Sequence, residues 1–142
     1  MLKGIPDIIP PELMKIMMEM GHGDELLLCD GNYPALGCPE KRVRMDGHGI
    51  PEILDAILRF LPLDAYVEHP AVLMGVLPGD PYVPKIISVY QQIGRKHEEK
   101  GLRETTVQKP EFYRRGANCY ACIATGEKAL YANIILKKGV VK

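Results

Sequence analysis

The amino-acid sequence predicts an α/β protein with a layered, mixed and largely parallel sheet. Strand-like and helix-like segments alternate along most of the chain, the pattern of layered α/β domains. The strand candidates are short continuous apolar runs such as Leu26-Leu27-Leu28-Cys29, which suit strands covered on both faces. The helix candidates carry apolar residues on one face, as Ile50, Ile53, Leu54, Ile57, Leu58 and Leu61 do. The chain of 142 residues has the size of one domain, and residues 1–142 are expected to form it.

Pro11 suits a first helical position, and Leu13, Ile16, Met17 and Met20 repeat at helical spacing, so a helix is expected over 11–20. Gly21 is its natural stop. The methionines of this stripe read as core or subunit interface rather than a cofactor box. A strand is expected over 25–29, then a loop over 30–40 broken by Gly31, Pro34, Gly37 and Pro39, in which Asn32 and Tyr33 are either pocket-lining or turn residues. A short strand over 41–45 and the turn Asp46-Gly47-His48-Gly49 lead to the helix opened by Pro51 and stopped at Pro62. Further strands are expected over 71–77, 104–108, 119–125 and 133–136, with helices over 84–100 and 110–116. No internal repeat or interdomain linker is seen.

Apolar residues make up 46% and charged residues 25%, a globular composition. Eighteen basic side chains balance eighteen acidic ones, so the chain lacks the electrostatic footprint of a nucleic-acid or anionic-membrane binder. A net charge of zero also permits self-association. No apolar run approaches membrane-span length, and the first residues lack a signal peptide's basic start and apolar centre; a soluble cytoplasmic protein is expected.

The glycines form neither a dinucleotide fingerprint nor a phosphate-cradling loop, and no nucleophile elbow or zinc-protease motif is present. Cys119-Tyr120-Ala121-Cys122 has redox or zinc spacing. Within a strand, however, residues three apart point to opposite faces, and no second Cys or His pair completes a zinc set. All four cysteines are therefore read as reduced structural thiols, with Cys29 inert inside an apolar strand. His48 and His69 beside turns and His97 on a charged helix read as structural or solvated. What remains is a polar set without nucleophile or metal signature: His22, Asp30, Lys109, Tyr131 and Asn133. His22, between Gly21 and Gly23, and Asp30 stand at opposite ends of one strand and its entry turn. Such a set suits proton transfer and hydrogen bonding to a polyhydroxylated ligand.

Two separated motifs then carry a resemblance: Gly21-His22-Gly23-Asp24-Glu25 and Tyr131-Ala132-Asn133-Ile134-Ile135-Leu136-Lys137-Lys138-Gly139-Val140. Between them stand Cys29-Asp30, Tyr33-Pro34-Ala35, Arg44-Met45-Asp46-Gly47, Leu61-Pro62-Leu63-Asp64, Glu111-Phe112-Tyr113-Arg114-Arg115 and Thr125-Gly126-Glu127. Over nearly its whole length the chain resembles the L-fucose mutarotase and D-ribose pyranase family, more closely the fucose branch. The resemblance implies a single-domain α/β/α sandwich and an isomerase that interconverts the α and β anomers of a pyranose, L-fucose or a related sugar. It assigns His22 as general acid/base, Asp30 as a substrate-contacting carboxylate, and Tyr131 with Asn133 as the C-terminal substrate-binding motif. Lys109 stands where the fucose branch has arginine and the ribose branch histidine; it keeps a cation but loses the planar fork. The family forms ring-shaped homo-oligomers, commonly decamers, with sites completed by neighbouring subunits.

Mutarotation needs one proton taken from the anomeric hydroxyl and one given to the ring oxygen. Imidazole, whose ordinary proton affinity lies nearest neutrality, can serve in both directions. His22 is expected to handle one proton, with Asp30 orienting it or a sugar hydroxyl; Tyr131 is the second relay, and Asn133 and Lys109 fix hydroxyls. Because the reaction proceeds unaided in water, no cofactor and no metal are expected. The rival reading is a non-catalytic sugar-binding or regulatory protein that keeps the pocket.

Overall fold

Residues 1–142 are described by a computed structural model. Six strands, β1 (Glu25–Cys29), β2 (Arg42–Met45), β3 (Ala71–Met74), β4 (Glu104–Val107), β5 (Ala121–Thr125) and β6 (Ile134–Lys137), form one sheet in the order β2-β5-β1-β6-β3-β4. β1 pairs parallel with β5, β2 with β5 and β3 with β4, whereas β6 runs antiparallel to both its neighbours, β1 and β3. The sheet is therefore mixed through a single reversed strand, and that strand is central.

Side-chain alternation along the strands builds two cores. Leu26 and Leu28, Ala71 and Leu73, Ala121 and Ile123, and Ile134 and Leu136 face helices α1 (Pro11–Glu19), α2 (Ile50–Leu58) and α3 (Ile86–His97). Leu27, Cys29, Val72, Met74, Cys122 and Ile135 face α4 (Lys109–Ala117), whose Phe112 fills the smaller core. The α/β/α layering implied by the resemblance is present. Both methionines of the helical stripe, Met17 and Met20, are core, while Met18, off the stripe, is 80% exposed.

Several bounds differ from the sequence reading for local reasons. β3 stops at Met74 rather than residue 77 because Gly75 and Pro78-Gly79 turn the chain away. α3 occupies Ile86–His97, shorter at both ends than the 84–100 expectation. The helix before His22 ends on an extended Met20; Gly23, not Gly21, takes the positive φ of 87°. Cys119 lies ahead of β5 in the turn after α4, where its thiol donates to the Arg115 carbonyl, so Cys119 and Cys122 share the smaller core instead of pointing to opposite faces. All four thiols are free.

Candidate active site

The parallel strands deliver their carboxyl ends to one edge of the sheet, and β6, being reversed, delivers its start there. Asp30 follows β1, Met74 ends β3, Lys109 follows β4 and Asn133 precedes β6. These meet with Asn32, Tyr113, Leu130 and Tyr131 around a cavity of about 180 Å³. Crevices outside the carboxyl ends of strands are the usual ligand sites of open α/β sheets.

Asp30 is fixed from three sides. Its N–H donates to Asn133 Oδ1 at 2.7 Å, and its Oδ1 accepts from the Asn32 N–H at 3.0 Å. The hydroxyl of Thr125 donates to the Cys29 carbonyl at 2.8 Å, and the Gly31 N–H donates to the Glu127 carbonyl at 2.9 Å, which pins the turn. Gly126 is required between those two residues, because a Cβ there would run into the Asp46 carbonyl. Burial pushes the Asp30 carboxyl above the ordinary carboxylate range; hydrogen bonds from Asn32, Asn133 and Ala132 offset part of this, and the Glu127 charge adds to it. The carboxylate thus gains from any further donor a ligand brings.

Tyr131 sits at φ 55°, a left-handed conformation rare outside glycine and one that collects at functional sites. Its hydroxyl donates to Asp80 Oδ2 at 2.6 Å. That bond raises the phenol's proton affinity and lowers the carboxyl's, the latter helped by the Tyr82 N–H. Lys109 opens α4 with its ammonium 5.6 Å from the Tyr113 ring centroid. A cation in a first helical turn opposes the helix dipole, so this placement serves the pocket rather than the helix.

His22 is not in this pocket. It precedes β1 as Asp30 follows it, and a strand of this length separates the two by about 17 Å. The turn carrying His22 is clamped: Gly23 N–H donates to the Lys138 carbonyl and Lys138 N–H to the Asp24 carbonyl, both at 2.8 Å, and Gly21 N–H donates to Asp24 Oδ2 at 2.7 Å. The flanking glycines thus lie in a turn tied by hydrogen bonds to Asp24 and Lys138. The orienting carboxylate is Asp64, 3.0 Å from His22 Nε2, so the expectation that Asp30 orients the ring within one chain does not hold. Asp64 is 3% exposed and also accepts from the Tyr66 N–H at 3.0 Å. Burial alone would raise its carboxyl; the Tyr66 and His22 hydrogen bonds outweigh that and hold it below the ordinary range. The Tyr66 ring lies 5.4 Å from the imidazole, which stays 46% exposed.

Asp30, Lys109, Tyr131 and Asn133 are therefore brought together, and His22 stands apart. Asp64 and Asp80 were not singled out by sequence reasoning. Asp64 closes the Leu61-Pro62-Leu63-Asp64 motif, which was a signal; Asp80 sits in a Pro-Gly-Asp-Pro turn that looked like strand punctuation only. His97 is structural, paired with Asp55 at 2.6 Å.

An α/β sandwich whose strand ends gather a carboxylate, an amide, a phenol and an ammonium round a small cavity is a small-molecule-binding protein suited to a polyhydroxylated ligand. Comparison with known proteins specifies the group. The chain matches the model of the RbsD / FucU transport protein family over residues 3–141. It is 43% identical to the fucose mutarotase of Mus musculus, covering 99% of this chain and 95% of that one. It is 42% identical to the L-fucose mutarotase of Actinobacillus pleuropneumoniae, covering 99% and 97%. Among solved structures, the fucose mutarotase of Streptococcus pneumoniae in complex with L-fucose superposes with a TM-score of 0.93 at 50% identity, over 99% of this chain and all of that one. RbsD of Bacillus subtilis complexed with D-ribose, at 19% identity and a TM-score of 0.74, shares the fold. The chain belongs to the RbsD / FucU family. No helix is long and apolar enough to cross a membrane.

Proposed function

We propose that this chain is a sugar mutarotase, an isomerase that interconverts the α and β anomers of L-fucose or a closely related pyranose, and that residues 1–142 act as one mutarotase-like unit. The observation that carries the reading is the pocket in which the Asp30–Asn133 pair, Tyr131 and Lys109 converge. Its volume of about 180 Å³ lies below the roughly 300–1,000 Å³ of drug-sized sites and suits a single sugar ring. The mutarotase names of relatives matching this chain end to end support the same reading.

Asp30 accepts from sugar hydroxyls, Asn133 and Lys109 donate to others, and the Tyr131–Asp80 pair moves one proton: the phenol gives its proton to an oxygen of the sugar while Asp80 stabilises the tyrosine's position, and takes it back on reclosure. The second proton belongs to His22, whose partner Asp64 fixes the ring and steadies the imidazolium. Since His22 and the pocket lie at opposite ends of β1, the proton relay is completed by His22 of a neighbouring copy. Self-association, as in the ring-shaped decamers the family resemblance implies, is thus part of this reading, as is action in the cytoplasm on a free monosaccharide. General acid–base help of about 10²- to 10⁴-fold is enough for a reaction that already runs in water.

NMR exchange spectroscopy on equilibrated L-fucose, D-ribose and D-galactose tests the proposal. Wild type is expected to accelerate anomer exchange, most for fucose, and His22→Ala to lower the enzymatic rate by about 10²- to 10⁴-fold. Binding of fucose without accelerated exchange would establish the non-catalytic reading instead.

A further inference from the structure

Three elements deliver one thiol each to a single point. Cys29 ends β1, Cys122 is second in β5, and Cys38 follows the 3₁₀ turn Ala35–Gly37. Their Sγ atoms all lie within 4.8 Å of one another, and no histidine nitrogen or carboxylate oxygen joins them. Cys29 and Cys122 are buried, and Cys38 is half-buried. A second cavity, of about 310 Å³, reaches the cluster; Cys29, Cys38, Tyr33, Arg42 and Asp30 line it. The Tyr33 hydroxyl is buried without a hydrogen-bond partner, a polar group the fold does not account for.

We propose that Cys29, Cys38 and Cys122 form a three-coordinate site for a soft, thiophilic metal ion, Cu(I) being the best match. A metal–sulfur bond of about 2.3 Å sets three sulfurs in a trigonal plane about 4.0 Å apart, a contraction within reach of small side-chain rotations. A donor set of sulfur alone selects soft ions, and structural zinc would want a fourth ligand. A Cys29–Cys122 disulfide fits poorly. Leu27 stands opposite Cys122 and Cys29 opposite Ala124, so the two cysteines are diagonal neighbours on one face. Strand spacing and rise put their Cα atoms about 8 Å apart, beyond disulfide range.

On binding, each thiol still protonated releases its proton to solvent, and neither copper nor sulfur changes oxidation state. Asp30, next to Cys29, lines both this cavity and the sugar pocket. Occupancy of the thiol site therefore bears on the carboxylate, a coupling that rests on the mutarotase reading while metal binding does not.

Anaerobic titration of the reduced full-length chain with Cu(I), against a competing chromophoric chelator, tests the site. The expected result is one ion per chain, with a thiolate-to-copper charge-transfer band in the near ultraviolet. Cys38→Ser, on a loop, should weaken binding by more than about 100-fold, beyond what outer-shell changes cost, with an unchanged circular dichroism spectrum. Cys119→Ser, buried on the same face but outside the cluster, should bind as wild type does. Equal affinity in Cys38→Ser, an equal loss in Cys119→Ser, or a Cys38 disulfide in air-exposed protein whose reduced form binds no Cu(I) would each overturn the proposal. Loss of anomer exchange on loading with Cu(I) extends the proposal to the coupling; unchanged exchange rejects the coupling and leaves the site.

Discussion

The two ends of β1 solve opposite problems. At its amino end an exposed imidazole rests on a buried carboxylate, in a turn clamped to the end of β6. At its carboxyl end a buried carboxylate waits in a pocket supplied with donors but no imidazole. The first end has an imidazole on an open surface; the second has the cavity, with a carboxylate, a phenol and an ammonium but no imidazole. Each holds what the other lacks. Under the proposed mechanism, the difference makes one copy of the chain a carrier of two complementary half-sites, held apart by the strand between them.

Mixing variants breaks or sharpens that contrast most directly. His22→Ala and Asp30→Asn each remove one half-site; alone, His22→Ala should lose about 10²-fold or more of its exchange rate and Asp30→Asn roughly 10- to 100-fold. Refolded together, they should recover activity well above either parent, because some interfaces then pair an intact His22 with an intact pocket. Failure of mixed samples to recover, with assembly confirmed by light scattering, would place both half-sites' work elsewhere.

Asp30→Asn on its own separates function from stability at the pocket end. Exchange should fall by roughly 10- to 100-fold, the worth of one or two hydrogen bonds to a charged acceptor. The carboxyl is raised in the folded state, so its contribution to stability is full below the unfolded value of about 3.9 and is lost as pH rises through the folded pKa. The amide removes that cost. Thermal midpoints near pH 7 should match or exceed wild type, and the advantage should vanish at low pH.

Asp64→Asn is the mirror experiment at the other end. Here the folded pKa is depressed, so the carboxylate stabilises above the unfolded value and that contribution disappears as pH falls through the folded one. The variant should lose about 1–3 kcal/mol near neutral pH, from a buried hydrogen-bonded charge replaced by an amide, with a loss that shrinks in acid. Exchange should drop about tenfold, the smaller cost of an unanchored general base. Denaturant melts from pH 3 to 7 read the first effect and NMR the second.

The smallest expected change is Asp80→Asn. Removing the charge that holds the Tyr131 phenol up lets it titrate lower, so the basic limb of the exchange-rate profile should move to lower pH with little loss at the optimum. A profile unchanged in shape would remove Tyr131 from the proton relay.

Much of the fold was legible because its strands are short and apolar and its breakers unambiguous. β1 takes the bounds its four-residue run of Leu and Cys and its flanking Asp30-Gly31 imply. Cys119 was placed inside a strand because Cys119 to Thr125 is uniformly apolar or small. Only the turn after α4, fixed by bonds back to Arg115 and Gly116, excludes it. At the site, residue types and strand ends were readable, including the opposition of His22 and Asp30. The carboxylate partners of His22 and Tyr131 were not, since Asp64 and Asp80 reach them from loops 42 and 51 residues away in the chain. The thiol cluster escaped for the same reason: a Cys-x-x-Cys spacing drew attention to neighbours in sequence, while the convergence runs across the sheet.

The reversed central strand has a consequence for how the molecule comes into being. β6 is the last of the six strands to leave the ribosome, yet it is the only bridge between the β2-β5-β1 block and the β3-β4 pair. Until residue 137 is available, no strand can join those two parts of the sheet, and unpaired strand edges are the ones that invite aggregation. Completion of the sheet and completion of the pocket are then one event, because the strand that closes the gap begins immediately after Asn133.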